Sequence, residues 1–253
     1  MLFQDSVFVG IDPTSGRSAF TYAALDRNLN LVALADAEME DTIAFLGGQA
    51  SARVAINAPS NVNRGIVRKN LEKQSLVPQH LRGVDIRVAE HELREHGISV
   101  GGTAGRESLC PAWVQVGFEF YKRLSNSGFK PYPADGVSHQ WLETHPHASF
   151  CALLGANPLP KPTLEGRLQR ELILYERGLQ IRDPMDFFEE ITRHRLMMGI
   201  LPTELVHLPE QLDALAAAYT AWLTTERPAD VSRVGHKLEG YITVPVAVLR
   251  EKY

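Results

Sequence analysis

Side chains able to bind a cation stand at the ends of several predicted elements of this chain. A hydrophobic strand over 7–12 ends in Asp12, a later one over 52–57 ends in Asn57, and one over 140–143 ends in Glu143. Asp213 lies in the first turn of a helix predicted over 210–224, on a face with small residues that would let the helix sit close to a sheet. We expect these three acids and one amide to meet at one edge of a sheet.

Such a group of oxygen ligands suits a hard divalent cation. Mg²⁺ and Mn²⁺ prefer carboxylate and carbonyl oxygens, and one or two such ions can activate water for phosphodiester hydrolysis. Anions held close together also repel one another unless a cation neutralises them. The sequence therefore indicates a metal site formed by Asp12, Glu143 and Asp213, with Asn57 beside it.

Each of the four side chains also has a purely structural interpretation. Asp12 precedes Pro-Thr-Ser-Gly and could bond to its own turn, as could Asn57 after its strand. Glu143 could pair with a nearby Arg or His, and Asp213 could complement the dipole of its helix. The functional interpretation depends on their convergence in space.

The other elements follow from hydrophobic periodicity and stop signals. Strands dominate the first half and helices the second, which indicates an α/β or α+β fold with a mixed sheet, in a single domain over residues 1–253. Residues 59–106 are polar and rich in Arg, and we interpret them as a long insertion after the fourth strand, in which the Gly-rich segment 101–105 is a flexible loop or lid. The predicted strands are 7–12, 18–25, 29–35, 52–57, 140–143 and, at the sheet edge, 240–244, and the predicted helices are 41–46, 64–74, 90–96, 113–124, 164–175, 183–198 and 210–224.

Charge and cysteine content exclude several classes of protein. Lys and Arg number 26 and Asp and Glu 30, so that the formal charge is −4 and any contact with nucleic acid requires a local basic patch. Cys110 and Cys151 have no paired spacing, and they predict neither a disulfide framework nor a zinc site. With no signal-peptide pattern and no apolar segment long enough to span a bilayer, we expect a cytoplasmic protein without membrane contact. A dimer is one possible oligomeric state.

Seven segments, taken in order, are similar to those of a known family. Together they span nearly the whole chain, roughly residues 7–245, and resemble the predicted RNase H-like nuclease family catalogued as domain of unknown function 429. The segments are Gly-Ile-Asp at 10–12, Val-Ala-Ile-Asn-Ala-Pro at 54–59, Arg-Val-Ala-Glu-His-Glu-Leu-Arg at 87–94, Glu-Thr-His-Pro-His-Ala-Ser-Phe at 143–150, Gly-Arg-Leu-Gln-Arg at 166–170, Asp-Ala-Leu-Ala-Ala-Ala-Tyr-Thr-Ala at 213–221 and Glu-Gly-Tyr-Ile-Thr-Val-Pro at 239–245.

The resemblance implies an RNase H-like core with a divalent-metal site. Asp12, Glu143 and Asp213 match acidic positions of the family, and Glu90 matches another in the insertion. Asn57 departs from the pattern, which usually has Asp before Ala-Pro. Because an amide oxygen is neutral, this departure lowers the expected metal affinity and argues against a two-ion site.

Several basic residues could hold the phosphates of a nucleic acid. The alternative for those in the predicted helix 164–175 is a solvated face paired with neighbouring Glu residues. The candidates are Arg87, Arg94, Arg106, Lys161, Arg167 and Arg170, with Glu90 beside them in the predicted substrate site.

Two further motifs have functional and structural interpretations. His145 and His147 flank Pro146 and could bind a transition metal, although on a coil that enters a helix the two rings need not face together. Trp113 and Trp141 are predicted to lie in the core, and base stacking is the alternative.

Three functions are consistent with these patterns. The first is a metal-dependent nuclease that hydrolyses phosphodiesters. The second is an actin-like ATP-dependent phosphotransferase, because Gly-Ile-Asp-Pro-Thr-Ser-Gly at 10–16 resembles the first phosphate loop of such enzymes, although no second phosphate loop is evident. The third is a catalytically weakened module that binds nucleic acid or a partner protein, which the neutral Asn57 and the acidic net charge favour.

Overall fold

A mixed α/β sheet forms the framework of the protein. The computed structural model describes residues 6–13, 20–74 and 85–253. In these residues eight strands form one sheet in the order β3-β2-β1-β4-β6-β8-β7, and β5 pairs with the outer side of β6. The strands are β1 Val7–Asp12, β2 Phe20–Leu25, β3 Leu31–Ala37, β4 Ala52–Ile56, β5 Lys130–Pro131, β6 His139–Thr144, β7 Ser232–His236 and β8 Gly240–Val244.

The first three strands form an antiparallel meander, and the central strands are parallel. β1 pairs antiparallel with β2 and parallel with β4, which pairs in turn with β6 and β6 with β8, both parallel. This arrangement of antiparallel and parallel strands flanked by helices confirms the predicted fold class and is consistent with an RNase H-like α/β fold.

Helices cover both faces of the sheet, and we name each face after one of its helices. The helices α1 and α4 cover the side to which Val7, Val9 and Ile11 of β1 point, which we name the α4 face. The helices α5, α6 and α9 cover the opposite side, named the α9 face. The helices are α1 Met39–Gly47, α2 Ile66–Gln74, α3 Val88–Glu95, α4 Ala112–Asn126, α5 Pro146–Leu154, α6 Leu164–Glu176, α7 Asp186–Glu189, α8 Arg193–Met197 and α9 Pro209–Glu226.

Two predictions about individual elements are wrong. The single helix predicted over 183–198 is two short helices, α7 and α8, because Thr192 takes extended backbone angles and its hydroxyl caps α8 by accepting from the Arg195 amide. The strand 240–244 is present, but it is not at the edge of the sheet. The unpredicted strand β7 pairs with it antiparallel and lies outside it.

Within the described part of the chain, no helix has both the length and the apolar character needed to cross a bilayer.

Candidate functional site

The close packing of α9 on β1 places an acid from each element at the same edge of the sheet. Gly10 lies in the middle of β1, and a Cβ built on it would come within 1.9 Å of the Ala214 carbonyl oxygen and 2.3 Å of the Ala218 amide nitrogen. Helix and strand can approach this closely only because residue 10 has no side chain. Side chains alternate along a strand, so Asp12 points to the α9 face as Gly10 does.

Asp12 and Asn57 lie side by side at the ends of two adjacent strands and form one half of the site. Asp12 ends β1 and is 0% exposed. Asn57 follows the adjacent strand β4, and its backbone amide donates to the Ile11 carbonyl at 2.9 Å, which extends the pairing of the two strands by one residue. Its side-chain amide nitrogen donates to Asp12 Oδ1 at 2.9 Å. The predicted adjacency of Asp12 and Asn57 is therefore present.

Asp213 is the second buried carboxylate of this edge, and it is 6% exposed. Its position beside Ala214, which contacts β1 at Gly10, brings it within electrostatic reach of Asp12. Burial, with a contribution from Asp12, raises the pKa of Asp213 to about 7, although Lys161 opposes the change by donating to Asp213 Oδ2. A carboxyl group that is half ionised near neutral pH, in a polar cluster, is a feature often found at functional sites.

Glu143 does not join the other two acids. Along the parallel pair β4–β6, Ala55 is in register with Leu142 on the α9 face, and Ile56 is in register with Glu143. Ile56 belongs to the cluster on the α4 face, so Glu143 leaves the sheet on the side opposite to Asp213. Its electrostatic effect on the buried Tyr121 hydroxyl, which belongs to α4, agrees with this direction.

Glu143 is instead the partner of Arg87. Arg87 Nη1 donates to Glu143 Oε2 at 3.0 Å and Nη2 donates to Oε1, and the Ser60 amide also donates to Oε2 at 2.8 Å. Both carboxylate oxygens are thus engaged by a guanidinium and a backbone amide. The predicted ligand group of Asp12, Glu143 and Asp213 is not brought together, and among the described residues no group of three or more His, Cys, Asp or Glu side chains could hold a metal ion.

Arg87 is the centre of a buried ionic network and does not face solvent. It is 1% exposed, and its Nε donates to Glu90 Oε1 at 2.8 Å while Nη1 also donates to the Glu239 carbonyl at 3.0 Å. Glu90 in turn accepts from the Thr103 amide at 2.9 Å. Arg87 and Glu90, both predicted to contact substrate, therefore join the insertion to β6 and to the β7–β8 turn.

The remaining basic candidates are mostly bonded to backbone carbonyls. Arg94 donates to Val100, Arg167 to Val206 and His207, and the buried Arg170 to Leu159 and Gly166. Arg106 is exposed. Lys161, with 38% of its side chain exposed, is the one predicted phosphate ligand that reaches the carboxylate pair.

A small cavity adjoins Asn57 at the same edge of the sheet. Its volume is about 160 Å³, and its walls include the Arg87–Glu143 pair, Thr103 of the Gly-rich segment and the side chain of Trp113. Gly101, Gly102 and Thr103 of the segment 101–105 thus line this cavity, and the role of the segment as a lid stays a prediction.

One histidine of the His145–His147 pair caps the start of α5. His145 is the N-cap of this helix, and its Nδ1 accepts from the Ala148 amide at 3.3 Å. Burial and the neighbouring His147 lower the pKa of His145 to about 4. The two ring centres are 6.4 Å apart, and His147 lies near the thiol of Cys151, with 3.7 Å between Nε2 and Sγ.

Two buried acids were missed by the sequence reasoning. Glu239 is 0% exposed and accepts from the Arg64 and Val88 amides at 2.6 and 2.8 Å. Glu171 is also 0% exposed and accepts from the backbone amide and the ring Nδ1 of His207. Both acids accept hydrogen bonds from backbone amides of segments that are distant in sequence, and no local sequence pattern indicates such partners.

Comparison with known proteins gives one match. A family model described as "Protein of unknown function (DUF429)" matches residues 10–232. No curated protein and no solved structure matches the chain.

Proposed function

The chain belongs to the DUF429 family, and we propose that it hydrolyses phosphodiester bonds of nucleic acid with the help of one divalent metal ion. The observation that carries this proposal is the buried group of Asp12, Asn57 and Asp213 at the edge where β1, β4 and α9 meet. Glu143 is not part of the proposed ligand set, because Arg87 and Ser60 engage both of its carboxylate oxygens.

The donor set fits a hard cation. Asp12 and Asp213 supply carboxylate oxygens, and Mg²⁺ is commonly bound through one or two carboxylates together with water. Two carboxylates and a neutral amide fit one ion better than two, because a second ion needs further negative charge. Mg²⁺ or Mn²⁺ would supply the activation of water and the stabilisation of the leaving oxygen.

The protein's own residues have separate roles in this proposal. Asn57 orients Asp12 through its side-chain amide at 2.9 Å. Lys161 neutralises Asp213 in the metal-free protein. Since its side chain is 38% exposed, Lys161 can turn to a phosphate oxygen of the substrate when a cation takes its place beside Asp213.

Mn²⁺ binding tests the ligand set directly. We expect Asp12→Asn and Asp213→Asn each to weaken Mn²⁺ binding by about a thousandfold, because a unit charge near 4 Å contributes roughly 4 kcal/mol at an effective dielectric constant of 20 and each 1.4 kcal/mol is a factor of ten. Asp135→Asn, which removes an exposed carboxylate outside the site, is the matched control. Calorimetry and metal-dependent cleavage of RNA, DNA and hybrid substrates give the readouts. Equal Mn²⁺ binding and cleavage by wild type and both variants would overturn the proposal.

Asn57→Asp separates a weakened nuclease from a binding module. The new carboxylate would face Asp12, so we expect a lower melting temperature without metal and a larger rise on adding Mn²⁺. Greatly increased cleavage by this variant means that the natural chain is catalytically weakened. Nucleic-acid binding without cleavage by either protein favours the module.

The phosphotransferase alternative depends on the segment that follows Asp12. Residues 14–16 of the phosphate-loop resemblance lie outside the described residues. Calorimetry with ATP and Mg²⁺ addresses this alternative, and tight ATP binding would favour it over phosphodiester hydrolysis.

A further inference from the structure

A groove opens where two strands share one side of β6. β5 pairs with the first half of β6, with Pro131 opposite Trp141, and β8 pairs with its last residues, with Ile242 opposite Glu143. Between these pairings lies a cavity of about 370 Å³. We name it the β5–β8 groove, and its principal lining residues are Tyr132, Trp141, Arg233, Lys237, Tyr241 and Thr243.

Aromatic rings and cations alternate along this groove. The guanidinium carbon of Arg233 lies 4.4 Å from the ring centre of Tyr241 and 5.7 Å from that of Tyr132. Arg53 approaches the same Tyr132 ring at 5.5 Å. Stacking of this kind holds a guanidinium plane in place while leaving the edge of the plane free to donate hydrogen bonds.

The cations of the groove have no acidic partner in the described part of the chain. Neither of the lining cations, Arg233 and Lys237, forms an ion pair there, nor does Arg53 next to Tyr132, whereas the lining acid Glu143 is held by Arg87. Partial burial lowers the pKa of Arg53 and of Arg233, so that each bears a desolvation cost without a countercharge. An anion in the groove would offset this cost.

Hydrogen-bond donors are also left without partners around the groove. Among the described residues, Nη1 of Arg53 and Nε1 of Trp141 are buried and have no acceptor. Buried polar atoms in proteins normally have partners, and such exceptions call for an explanation. Of the two residues, Trp141 lines the groove, so a ligand with a flat ring would contact its aromatic surface there.

We propose that the β5–β8 groove binds a nucleotide unit of single-stranded nucleic acid, with its base against Trp141 and its phosphate at Arg233 and Lys237. This inference rests on the proposed function, because it names a substrate-binding surface for the same enzyme. Stacking of a base on an aromatic ring tolerates any base, so we expect little sequence preference.

Fluorescence anisotropy with a short labelled oligothymidine, in EDTA, tests the inference without metal or cleavage. We expect the double variant Arg233→Gln, Lys237→Gln to bind at least tenfold more weakly and to reduce the slope of log K against log salt by about 0.7, since both cations contact one phosphate and each neutralised phosphate of a single strand contributes about 0.7. Arg193→Gln, which removes an exposed arginine on α8, is the matched control and should bind like wild type. Because Arg233 packs between two rings, Lys237→Gln alone serves as a second variant that leaves those ring contacts intact, and weaker binding with a smaller reduction of the slope than in the double variant is expected for it.

Unchanged affinity and salt slope in both variants would overturn the inference. Competition with thymidine monophosphate distinguishes the source of the ligand: displacement of the oligothymidine assigns the groove to free nucleotides as well, and absence of displacement assigns it to strands.

The two proposals can fail separately. If the protein binds oligothymidine through the groove in EDTA but cleaves no substrate, the hydrolase proposal fails and the groove inference stands. If the double variant cleaves substrate in a metal-dependent reaction with an unchanged KM, the hydrolase proposal stands and the groove inference fails.

Discussion

Asp213→Asn should stabilise the metal-free protein at neutral pH, although it removes the partner of Lys161. Burial and the charge of Asp12 raise the pKa of the Asp213 carboxyl, Lys161 lowers it, and the balance moves it from the ordinary 3.8 to about 7. The folded protein therefore keeps the Asp213 proton at pH values where the unfolded chain has already released it. Ionising this group in place costs folding free energy, and an amide does not ionise.

The sign and size of the effect follow from linkage. Between about pH 4 and pH 7 the folded state binds more protons than the unfolded state, so the free energy of unfolding falls as pH rises and levels off above pH 7. The change from 3.8 to about 7 corresponds to about 4 kcal/mol at 1.36 kcal/mol for each pKa unit. Relative to wild type, the free energy of unfolding of Asp213→Asn should be unchanged near pH 4 and about 4 kcal/mol higher at pH 8.

Urea unfolding of both proteins in EDTA, from pH 4 to pH 8, measures this difference. His145 acts in the opposite direction, because its depressed pKa of about 4 makes stability rise between pH 4 and 6.5, but it is common to both proteins and cancels. A difference that does not vary with pH, or one that grows in favour of wild type as pH rises, would refute the reasoning. The second result would mean that Lys161 lowers the pKa of Asp213 more than burial raises it. Mn²⁺ at a concentration that saturates wild type should reduce the advantage of the variant, since the variant binds the ion more weakly and gains less stability from it.

Two further predictions concern the packing that positions the site. Gly10→Ala should destabilise the protein by about 3 kcal/mol, because the new methyl group would overlap the backbone of α9. Gly47→Ala, at the end of α1 with no atom within 4 Å of the added group, should be neutral or slightly stabilising, and equal urea midpoints for the two variants would contradict the close approach. Arg87→Met should cost roughly 3–5 kcal/mol because it leaves buried carboxylates without a countercharge, whereas Arg123→Met, which breaks exposed ion pairs, should leave the urea midpoint unchanged. An Arg87→Met protein as stable as wild type would show that the network is dispensable.

Local patterns in the sequence were sufficient to predict the part of the site formed by β1, β4 and α9. Hydrophobic runs ending in Asp12 and Asn57 identified two strand ends, and the small residues of α9 indicated a helix that could approach a sheet. Gly10 is the residue that completes this contact, and a glycine inside an otherwise bulky strand is a signal of close backbone approach. These features act over a few residues, so they can be inferred from a single chain.

The ionic network around Arg87 could not be predicted in the same way. Arg87 and Glu143 are 56 residues apart in the chain, and Arg87 and Glu239 are 152 apart. The sequence shows only that each residue is charged. An arginine that binds phosphate at the surface and an arginine buried between two carboxylates look the same in the sequence. The distinction depends on how the insertion folds back onto β6 and β8, which is determined by tertiary packing.

The misplacement of Glu143 has a simpler cause, and it bears on the number of ions in the proposed metal site. Side chains alternate along β6, so the residue next to Glu143 is the one that faces α9. That residue is Thr144, whose hydroxyl donates to the Thr243 carbonyl at 3.1 Å and lies 3.4 Å from Ser149 Oγ of α5. The three strand ends that share the α9 face therefore contribute a carboxylate, an amide and a hydroxyl. Asp213 adds the second negative charge, and a site with two charges favours a single divalent ion over a pair.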